Sequence, residues 1–196
     1  WGGAGFDAEL GYLFIPSKKD PMVFSLGKPD SSRSEFRYSV FAETDTHESW
    51  DEDLPLLKPP YATLTAIDLN QGSIAWQVPL GDGPRNHPLL KDLNLGPLGS
   101  LPDGARTRVM TGPLVTNDLV FVSTPERNAE GKKYGVLRAY AKNTGELVTE
   151  VSLDSPPHGN PMTYLYDGRQ YIVMAVGGER GEPMGQLIAL ALPRSN

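Results

Sequence analysis

The sequence contains no cysteine, which excludes disulfide bonds and thiolate metal sites. It has no excess of basic residues either, because 18 Lys and Arg stand against 24 Asp and Glu, for a formal net charge of −6. A chain with this balance offers no electrostatic footprint for nucleic acid, and we expect no nucleic-acid partner. No apolar run approaches the ~20 residues of a membrane-spanning helix. No signal-peptide pattern follows Trp1, so we expect the natural N-terminus to lie upstream.

Local catalytic signatures are also missing. There is no Gly-x-Ser-x-Gly elbow, no P-loop, no Gly-x-Gly-x-x-Gly after a strand and no His-Glu-x-x-His. His47, His87 and His158 lie far apart in predicted loops and are interpreted as solvated surface residues. The acidic cluster at 43–53 has ligands that Ca²⁺ prefers but lacks the spacing of an EF-hand loop, which favours a solvated acidic loop. The sequence therefore assigns no catalytic and no metal-ligating residue.

What the sequence does contain is a short phrase that occurs three times. Leu-x-Ala followed by an apolar residue stands at 64–67, 137–140 and 187–190, and each copy follows a β-rich stretch. The last two copies begin 50 residues apart, at Leu137 and Leu187. Repeated antiparallel units at a period of roughly 40–50 residues are typical of the blades of a β-propeller. The sequence therefore predicts an all-β fold made of repeated four-stranded blades.

Three blades and two insertions are predicted along the chain. The first blade covers 1–80 and carries a polar insertion at 18–60; a second, proline-bearing insertion covers 81–106; the other blades cover 109–153 and 159–193. No helical period of convincing length is present, and 88–95 is the one segment that could form one or two helical turns. The predicted strands are 12–16, 63–69, 74–78, 112–115, 119–123, 137–141, 147–153, 161–166, 170–176 and 187–192.

Three blades are too few to close a ring, which takes about 4–8. We therefore expect a partial propeller, the C-terminal part of one domain. Its last blade lacks the outer strand, which in closed propellers often comes from the opposite terminus and covers the unpaired edge. In isolation the chain would expose a raw sheet edge on both sides, so we expect it to aggregate or to fold marginally.

Glycines stand at the ends of the predicted strands, at Gly2 and Gly3, at Gly112, and at Gly177 and Gly178. One interpretation is a crowded propeller axis or a turn that needs positive φ. The other is a flat ligand that lies against bare backbone near the axis. The residues alone leave both open.

Residues 66–76 read Ala-Ile-Asp-Leu-Asn-Gln-Gly-Ser-Ile-Ala-Trp and resemble the Ala-x-Asp-x-x-x-Gly-x-x-x-Trp blade motif of dehydrogenases that depend on pyrroloquinoline quinone (PQQ). In this motif Asp sits by the turn, Gly supplies the reversal, and Trp packs as a flat wedge between neighbouring blades. The second copy departs from the motif, with Ala141 for Asp and Thr149 for Trp, which weakens the wedge there. Segments that are similar to the family in the same order are 1–7, 58–61, 76–81, 161–164, 168–173 with 177–178, and 189–193.

The resemblance covers nearly the whole chain except 18–57 and is to the glucose and polyol dehydrogenase branch. It implies an eight-bladed periplasmic propeller, with a possible inner-membrane anchor outside this chain, that holds PQQ and Ca²⁺ on its axis. Such an enzyme oxidises the CH–OH group of an alcohol, polyol or aldose and passes electrons to a quinone or cytochrome. The family's general-base Asp and Ca²⁺ ligands would fall upstream of Trp1, as would an Asn that contacts the cofactor. The remainder of the propeller is then an expected partner.

The resemblance also implies which residues form the wall of the cofactor site. In alcohol-oxidising relatives a Trp stacks under the quinone close to the place of Met110, which is soft and polarizable but leaves that stacking role open. Core packing at a blade entrance is an equally good interpretation of Met110. The predicted cofactor-binding residues are Trp1, Gly2, Met110, Thr111, Gly112, Gly177 and Gly178.

Two other functions remain open from the sequence. A non-enzymatic propeller of the same superfamily, of the outer-membrane assembly type, shares the blade phrase and would act as an interaction scaffold. It lacks the two long insertions, which suit a lid over an active-site mouth. A generic sugar-binding propeller is the third interpretation.

Overall fold

The computed structural model describes residues 3–19, 21, 25–41, 54–100, 111–128, 130, 132–178 and 184–193. These residues form thirteen β-strands and one turn of 3-10 helix, Lys91–Leu93, within the segment for which the sequence predicts helical turns. The strands pair into three larger antiparallel sheets and one small hairpin. The all-β prediction is therefore confirmed.

The first sheet has the order β1-β2-β5-β6. Its strands are β1 (Gly5–Asp7), β2 (Tyr12–Lys18), β5 (Ala62–Asp68) and β6 (Ser73–Pro79). The first insertion runs from β2 to β5 and contains a separate hairpin of β3 (Ser25–Gly27) and β4 (Ser39–Phe41). Because β2 pairs with β5 over their whole lengths, the insertion leaves the blade intact.

The second sheet has the order β10-β9-β8-β7 and the third has the order β11-β12-β13. Their strands are β7 (Leu114–Val115), β8 (Leu119–Arg127), β9 (Lys133–Ala141), β10 (Leu147–Leu153), β11 (Pro157–Tyr166), β12 (Arg169–Val176) and β13 (Gln186–Leu190). Among the described residues the third sheet has no fourth strand, as expected. The three copies of the Leu-x-Ala phrase lie in β5, β9 and β13, the third strand of each sheet counted from its first strand.

The sheets stack in chain order because β8 serves two hydrophobic cores. Val120 and Val122 are fully buried and share a core with Phe14 of the first sheet. Phe121 packs with a second core that includes Met174 of the third sheet. Alternate side chains of a strand point to opposite faces, so the second sheet lies between the other two. This arrangement, together with the match to a solved structure reported below, confirms the prediction of a partial propeller.

Trp76 joins the first two sheets in the way the blade motif predicts. Its indole Nε1 donates a hydrogen bond to the carbonyl oxygen of Lys142, at 2.9 Å. The ring also lies on Gly145, where an added Cβ would come within 2.6 Å of it. The tryptophan of the first motif copy is therefore a wedge against the turn of the second copy.

The connections between strands lie on two opposite edges of the stacked sheets, because successive turns of an antiparallel sheet alternate between its edges. We call one the turn edge: it carries the tight turns at 8–11, 69–72, 142–146 and 167–168. We call the other the loop edge: both long insertions begin and end there, and so do the connections that follow β10 and β12. The motif contacts of Trp76 belong to the turn edge. Those predicted cofactor-binding residues that the structure describes belong to the loop edge.

At the turn edge, Asp7 and Asp68 make the same turn in two hairpins. Asp7 Oδ1 accepts hydrogen bonds from the backbone N–H of Glu9 and of Leu10, both at 2.9 Å. Asp68 Oδ1 accepts the corresponding bonds from Asn70 and Gln71. Asp7 has one additional partner, since its Oδ2 lies 2.6 Å from Nζ of Lys142 and both side chains are buried. The pair ties the first hairpin of the first sheet to the second sheet.

The pH dependence of stability is expected to reflect this ion pair. Burial opposes ionisation of Asp7, but hydrogen bonds from Lys142 and from the backbone of Leu10 and Glu9 outweigh it, and the pKa of Asp7 is lowered from 3.8. The hydrogen bond to Asp7 is the main cause that raises the pKa of Lys142 from 10.5. The pair's stabilisation is therefore complete between these two values. It is lost as pH falls through the folded-state pKa of Asp7 or rises through that of Lys142.

Thermal unfolding of the Asp7→Asn variant against pH measures this contribution. We expect a lower Tm at neutral pH and a shallower loss of Tm below pH 3.8 than in the parent protein. Asp68→Asn is the matched control, because it alters the same type of turn without a lysine partner. Equal Tm values for the two variants at neutral pH would show that the ion pair contributes nothing.

Candidate functional site

The first strands of the three sheets, β1, β7 and β11, begin at the loop edge and converge there. A Cβ added to Gly5 at the start of β1 would lie 2.6 Å from a methyl carbon of Val115 and 3.0 Å from the ring of Pro113. Only a residue without a side chain permits this approach of β1 to β7. Because β7 and β11 are also in contact, the three strands lie side by side in the order β1, β7, β11.

Gly112, immediately before β7, is joined to the third sheet. Its backbone N–H donates a hydrogen bond to Oδ1 of Asn160 in β11, at 2.6 Å. Gly177, immediately after β12, donates from its backbone N–H to the carbonyl oxygen of Pro156, at 2.8 Å. We call the residues 3–5, 111–113, 156–160 and 177–178 the inner rim. It is composed of strand ends from all three sheets.

Three glycines of the inner rim, Gly3, Gly159 and Gly178, are exposed. Gly3 and Gly159 have φ values of +79° and +76°, which L side chains rarely adopt, and an added Cβ at either position would meet no atom of the described residues within 4 Å. Gly178 packs against the backbone of Gly185, where an added Cβ would lie 3.2 Å from its Cα. A flat ligand could therefore lie directly against main-chain atoms at this rim.

The structure brings three of the predicted cofactor residues together at the inner rim: Gly112, Gly177 and Gly178. Thr111 is there too, but its side chain is fully buried. Its hydroxyl donates to the carbonyl oxygen of Ser123 at 2.8 Å and accepts from the N–H of Ser123 at 3.2 Å, so it continues the pairing of β7 with β8. Trp1, Gly2 and Met110 lie outside the described residues, and the cofactor role of all seven remains a prediction.

Sequence reasoning missed two residues of the rim. Asn160 lies in β11, immediately before the predicted strand 161–166, and its side-chain oxygen accepts a hydrogen bond from Gly112. His158 was expected in a solvated loop, which is wrong: it is half-buried in β11, opposite Ala175 of β12. The strand begins at Pro157, and its pairing with β12 shifts register between His158 and Met162. The sequence Gly-Asn-Pro at 159–161 is the feature that could have indicated an irregular strand at this position.

The base of the second insertion is fixed to the blades at the loop edge. The backbone N–H of Gly99 donates to the carbonyl oxygen of Gly81, and that of Tyr61 donates to the carbonyl oxygen of Leu98, at 2.9 and 2.7 Å. Beneath this base the buried Arg138 guanidinium contacts Glu126 Oε1 at 3.1 Å. These hydrogen bonds hold the described part of the second insertion in one position at the loop edge, the edge that also carries the inner rim.

The described residues contain no group of three or more His, Cys, Asp or Glu that could hold a metal ion. The whole acidic segment 43–53, which includes His47, lies outside the described residues, so the solvated-loop interpretation stays a prediction. No helix in the described part of the chain is long and apolar enough to cross a membrane.

Comparison with known proteins identifies the family. The family described as "PQQ: Glucose/ethanol/alcohol dehydrogenase, beta-propeller domain" matches residues 1–172. The chain belongs to this family. The predicted resemblance to PQQ-dependent dehydrogenases is thus confirmed over most of the sequence.

Relatives with similar sequences are named for several different substrates. The chain is 36% identical over 145 residues to a probable quinate dehydrogenase (quinone) of Xanthomonas campestris pv. juglandis, covering 71% of this chain and 17% of that protein. It is 33% identical over 155 residues to the glycerol dehydrogenase large subunit of Gluconobacter thailandicus, covering 74% and 19%. The chain thus spans about a fifth of the length of the curated relatives it matches.

Among solved structures, the quinohemoprotein alcohol dehydrogenase from Comamonas testosteroni resembles the chain with a TM-score of 0.56 at 21% identity. The match covers 100% of this chain and 27% of that one. At this identity the likeness concerns the fold, and it supports three consecutive propeller blades.

Proposed function

We propose that these residues form part of a PQQ-dependent dehydrogenase that oxidises the CH–OH group of an alcohol, polyol or aldose. The observation that carries the proposal is the family match together with a glycine-lined inner rim at the loop edge. Relatives named for quinate, glycerol and glucose support this substrate class. Electrons would pass to a quinone or a cytochrome.

The inner rim fits a flat, planar cofactor. Gly3, Gly159 and Gly178 are exposed and would let the ring system approach main-chain atoms, whereas Gly112 and Gly177 are buried and would hold the neighbouring strand ends through their backbone N–H groups. When bound, PQQ supplies the two-electron acceptor chemistry that protein side chains lack. The residues of this chain would hold its position and exclude water, while the fixed second insertion would form one side of the opening.

Calcium is a separate proposal, since the described residues do not fit a Ca²⁺ site. We propose that Ca²⁺ is held by parts of the protein outside this chain, as is the general base. The location of the complete enzyme is proposed to be the periplasm, with an inner-membrane anchor in another part of the protein.

The remaining blades are the proposed partner of the two outer sheet faces. On the third sheet, Met162 and Leu187 are 54% and 77% exposed and lie on the face turned away from the second sheet. On the first sheet, Phe6 is 56% exposed on the corresponding outward face. Apolar sheet faces of this kind are normally covered. Neighbouring blades on both sides would cover them and close the ring.

A non-enzymatic scaffold is the alternative function, and the comparisons do not favour it. The curated relatives are named as dehydrogenases, and the match to them extends over about 70% of this chain. Nothing in the described rim favours a generic sugar-binding propeller over an enzyme.

The proposed activity is tested with the complete protein that carries this chain. We expect PQQ and Ca²⁺ together to restore substrate-dependent reduction of an artificial electron acceptor with at least one of glycerol, quinate, glucose or ethanol. Omission of PQQ is expected to abolish the signal. A PQQ-loaded protein that reduces the dye with none of an extended panel of alcohols and aldoses would contradict the proposal.

A further inference from the structure

We propose that Asn160 is a positioning residue that fixes the Gly112 part of the inner rim and thereby sets the shape of the PQQ site. The inference rests on the proposed function. It starts from one contact between sheets, the hydrogen bond from the backbone N–H of Gly112 to Oδ1 of Asn160 at 2.6 Å.

The local sequence directs the Asn160 side chain out of the regular strand. Gly159 adopts a φ of +76°, and Pro161 restricts the backbone of the residue before it to extended conformations. The pairing of β11 with β12 shifts register between His158 and Met162, so Asn160 lies in a β-bulge. Bulges re-aim a side chain and often lie beside functional sites. Here the bulge sends the Asn160 amide across to the second sheet.

The orientation of the amide follows from its partner. A backbone N–H can only donate, so the Asn160 atom that contacts Gly112 must be the oxygen. The amide NH₂ group then lies on the other side of the side chain. Since Asn160 is exposed at the inner rim, this group is available to solvent or to a bound ligand.

The segment 111–113 depends on side chains to hold it. Pro113 has no backbone N–H, and Gly112 is buried, so its N–H needs a partner. On one side the hydroxyl of Thr111 bonds the backbone of Ser123 within the same sheet. On the other side Asn160 bonds Gly112 from the next sheet. Loss of the Asn160 amide would release the rim at the junction of two blades.

Two measurements on the complete protein test the role. In Asn160→Ala we expect the dissociation constant for PQQ, titrated into the cofactor-free protein, to rise by about tenfold or more. We also expect faster amide hydrogen exchange in peptides that cover 111–121 of the cofactor-free protein. Asn160→Asp keeps a side-chain oxygen at the same reach and is expected to restore slow exchange.

Asn70→Ala is the matched control. Asn70 is exposed and makes a similar side-chain-to-backbone bond, from its Nδ2 to the carbonyl oxygen of Leu10 at 3.0 Å, but at the turn edge. It should change Tm as Asn160→Ala does while leaving the PQQ dissociation constant and the exchange of 111–121 unchanged.

The outcomes separate this inference from the proposed function. If the parent protein binds PQQ and Asn160→Ala binds it equally well, the positioning role is wrong and the proposed function stands. Unchanged exchange of 111–121 in Asn160→Ala would also overturn the role. If the parent protein does not bind PQQ at all, the proposed function fails and this inference fails with it.

Discussion

Replacing Phe14 by alanine is expected to lower the free energy of unfolding of the complete protein by about 3–5 kcal/mol. Phe14 is fully buried in the core between the first two sheets. Its ring centroid lies 5.7 Å from that of Trp76 and 6.3 Å from that of Tyr12. The substitution removes the transfer energy of the ring and leaves a cavity that the sheets fill only partly. Denaturant unfolding of parent and variant measures the difference.

Phe14→Leu is the control for this variant because it keeps most of the side-chain volume. We expect it to cost less than about 1.5 kcal/mol. If leucine and alanine destabilise the protein equally, Phe14 does not fill a core between sheets and the stacking described here is wrong.

Gly145→Ala is expected to destabilise the protein by about 2 kcal/mol more than Gly72→Ala. Both glycines occupy the same position in the two copies of the blade motif, and both have positive φ, +74° and +66°. An alanine therefore brings backbone strain of about 1 kcal/mol at either site. The added Cβ at Gly145 would lie 2.6 Å from the ring of Trp76, whereas at Gly72 it would meet no atom of the described residues within 4 Å. The difference measures the contact between blades.

Denaturant unfolding of the two glycine variants measures this difference, and the same comparison in a Trp76→Phe background is the control. In a Trp76→Phe background the extra cost of Gly145→Ala should shrink, since the smaller ring leaves room for a methyl group. Equal costs for the two glycine variants in the parent background would contradict the wedge.

The sequence predicts the turn edge well because its structure depends on local chemistry. Asp68, Gly72 and Trp76 act within one hairpin or against the next copy of the same motif, so a repeat in the sequence becomes a repeat in the structure. The second copy of the motif departs from the first at position 141, where Ala replaces Asp, so its turn lacks the aspartate. The neighbouring Lys142 donates a hydrogen bond to Asp7 of the first sheet.

The loop edge could be predicted only in part. The glycines indicated close approach, and Gly112 and Gly177 both donate hydrogen bonds to the stretch 156–160. However, the bond from Gly112 to Asn160 joins residues 48 apart through a bulge, and no period in the sequence marks a bulge. Thr111 was predicted to contact the cofactor, but its hydroxyl points into the sheet. There it bonds the backbone of Ser123, which lies opposite on β8.

The two edges of the stacked sheets have different roles: the turn edge stabilises the stack of blades, and the loop edge carries the proposed cofactor site. Motif contacts and the buried ion pair hold the blades together at the turn edge, so the loop edge can vary. The long insertions and the glycine-lined rim are both found there. Substitutions at the turn edge are therefore expected to change stability, and substitutions at the inner rim to change cofactor binding.

The structure of the complete protein with PQQ bound, determined by crystallography or electron cryomicroscopy, tests the central claim most directly. We expect a closed ring in which these residues form three adjacent blades, with PQQ on the axis and in contact with the backbone of Gly112 and Gly177. A map that shows PQQ at the turn edge, or these residues packed as a separate sandwich, would contradict the account.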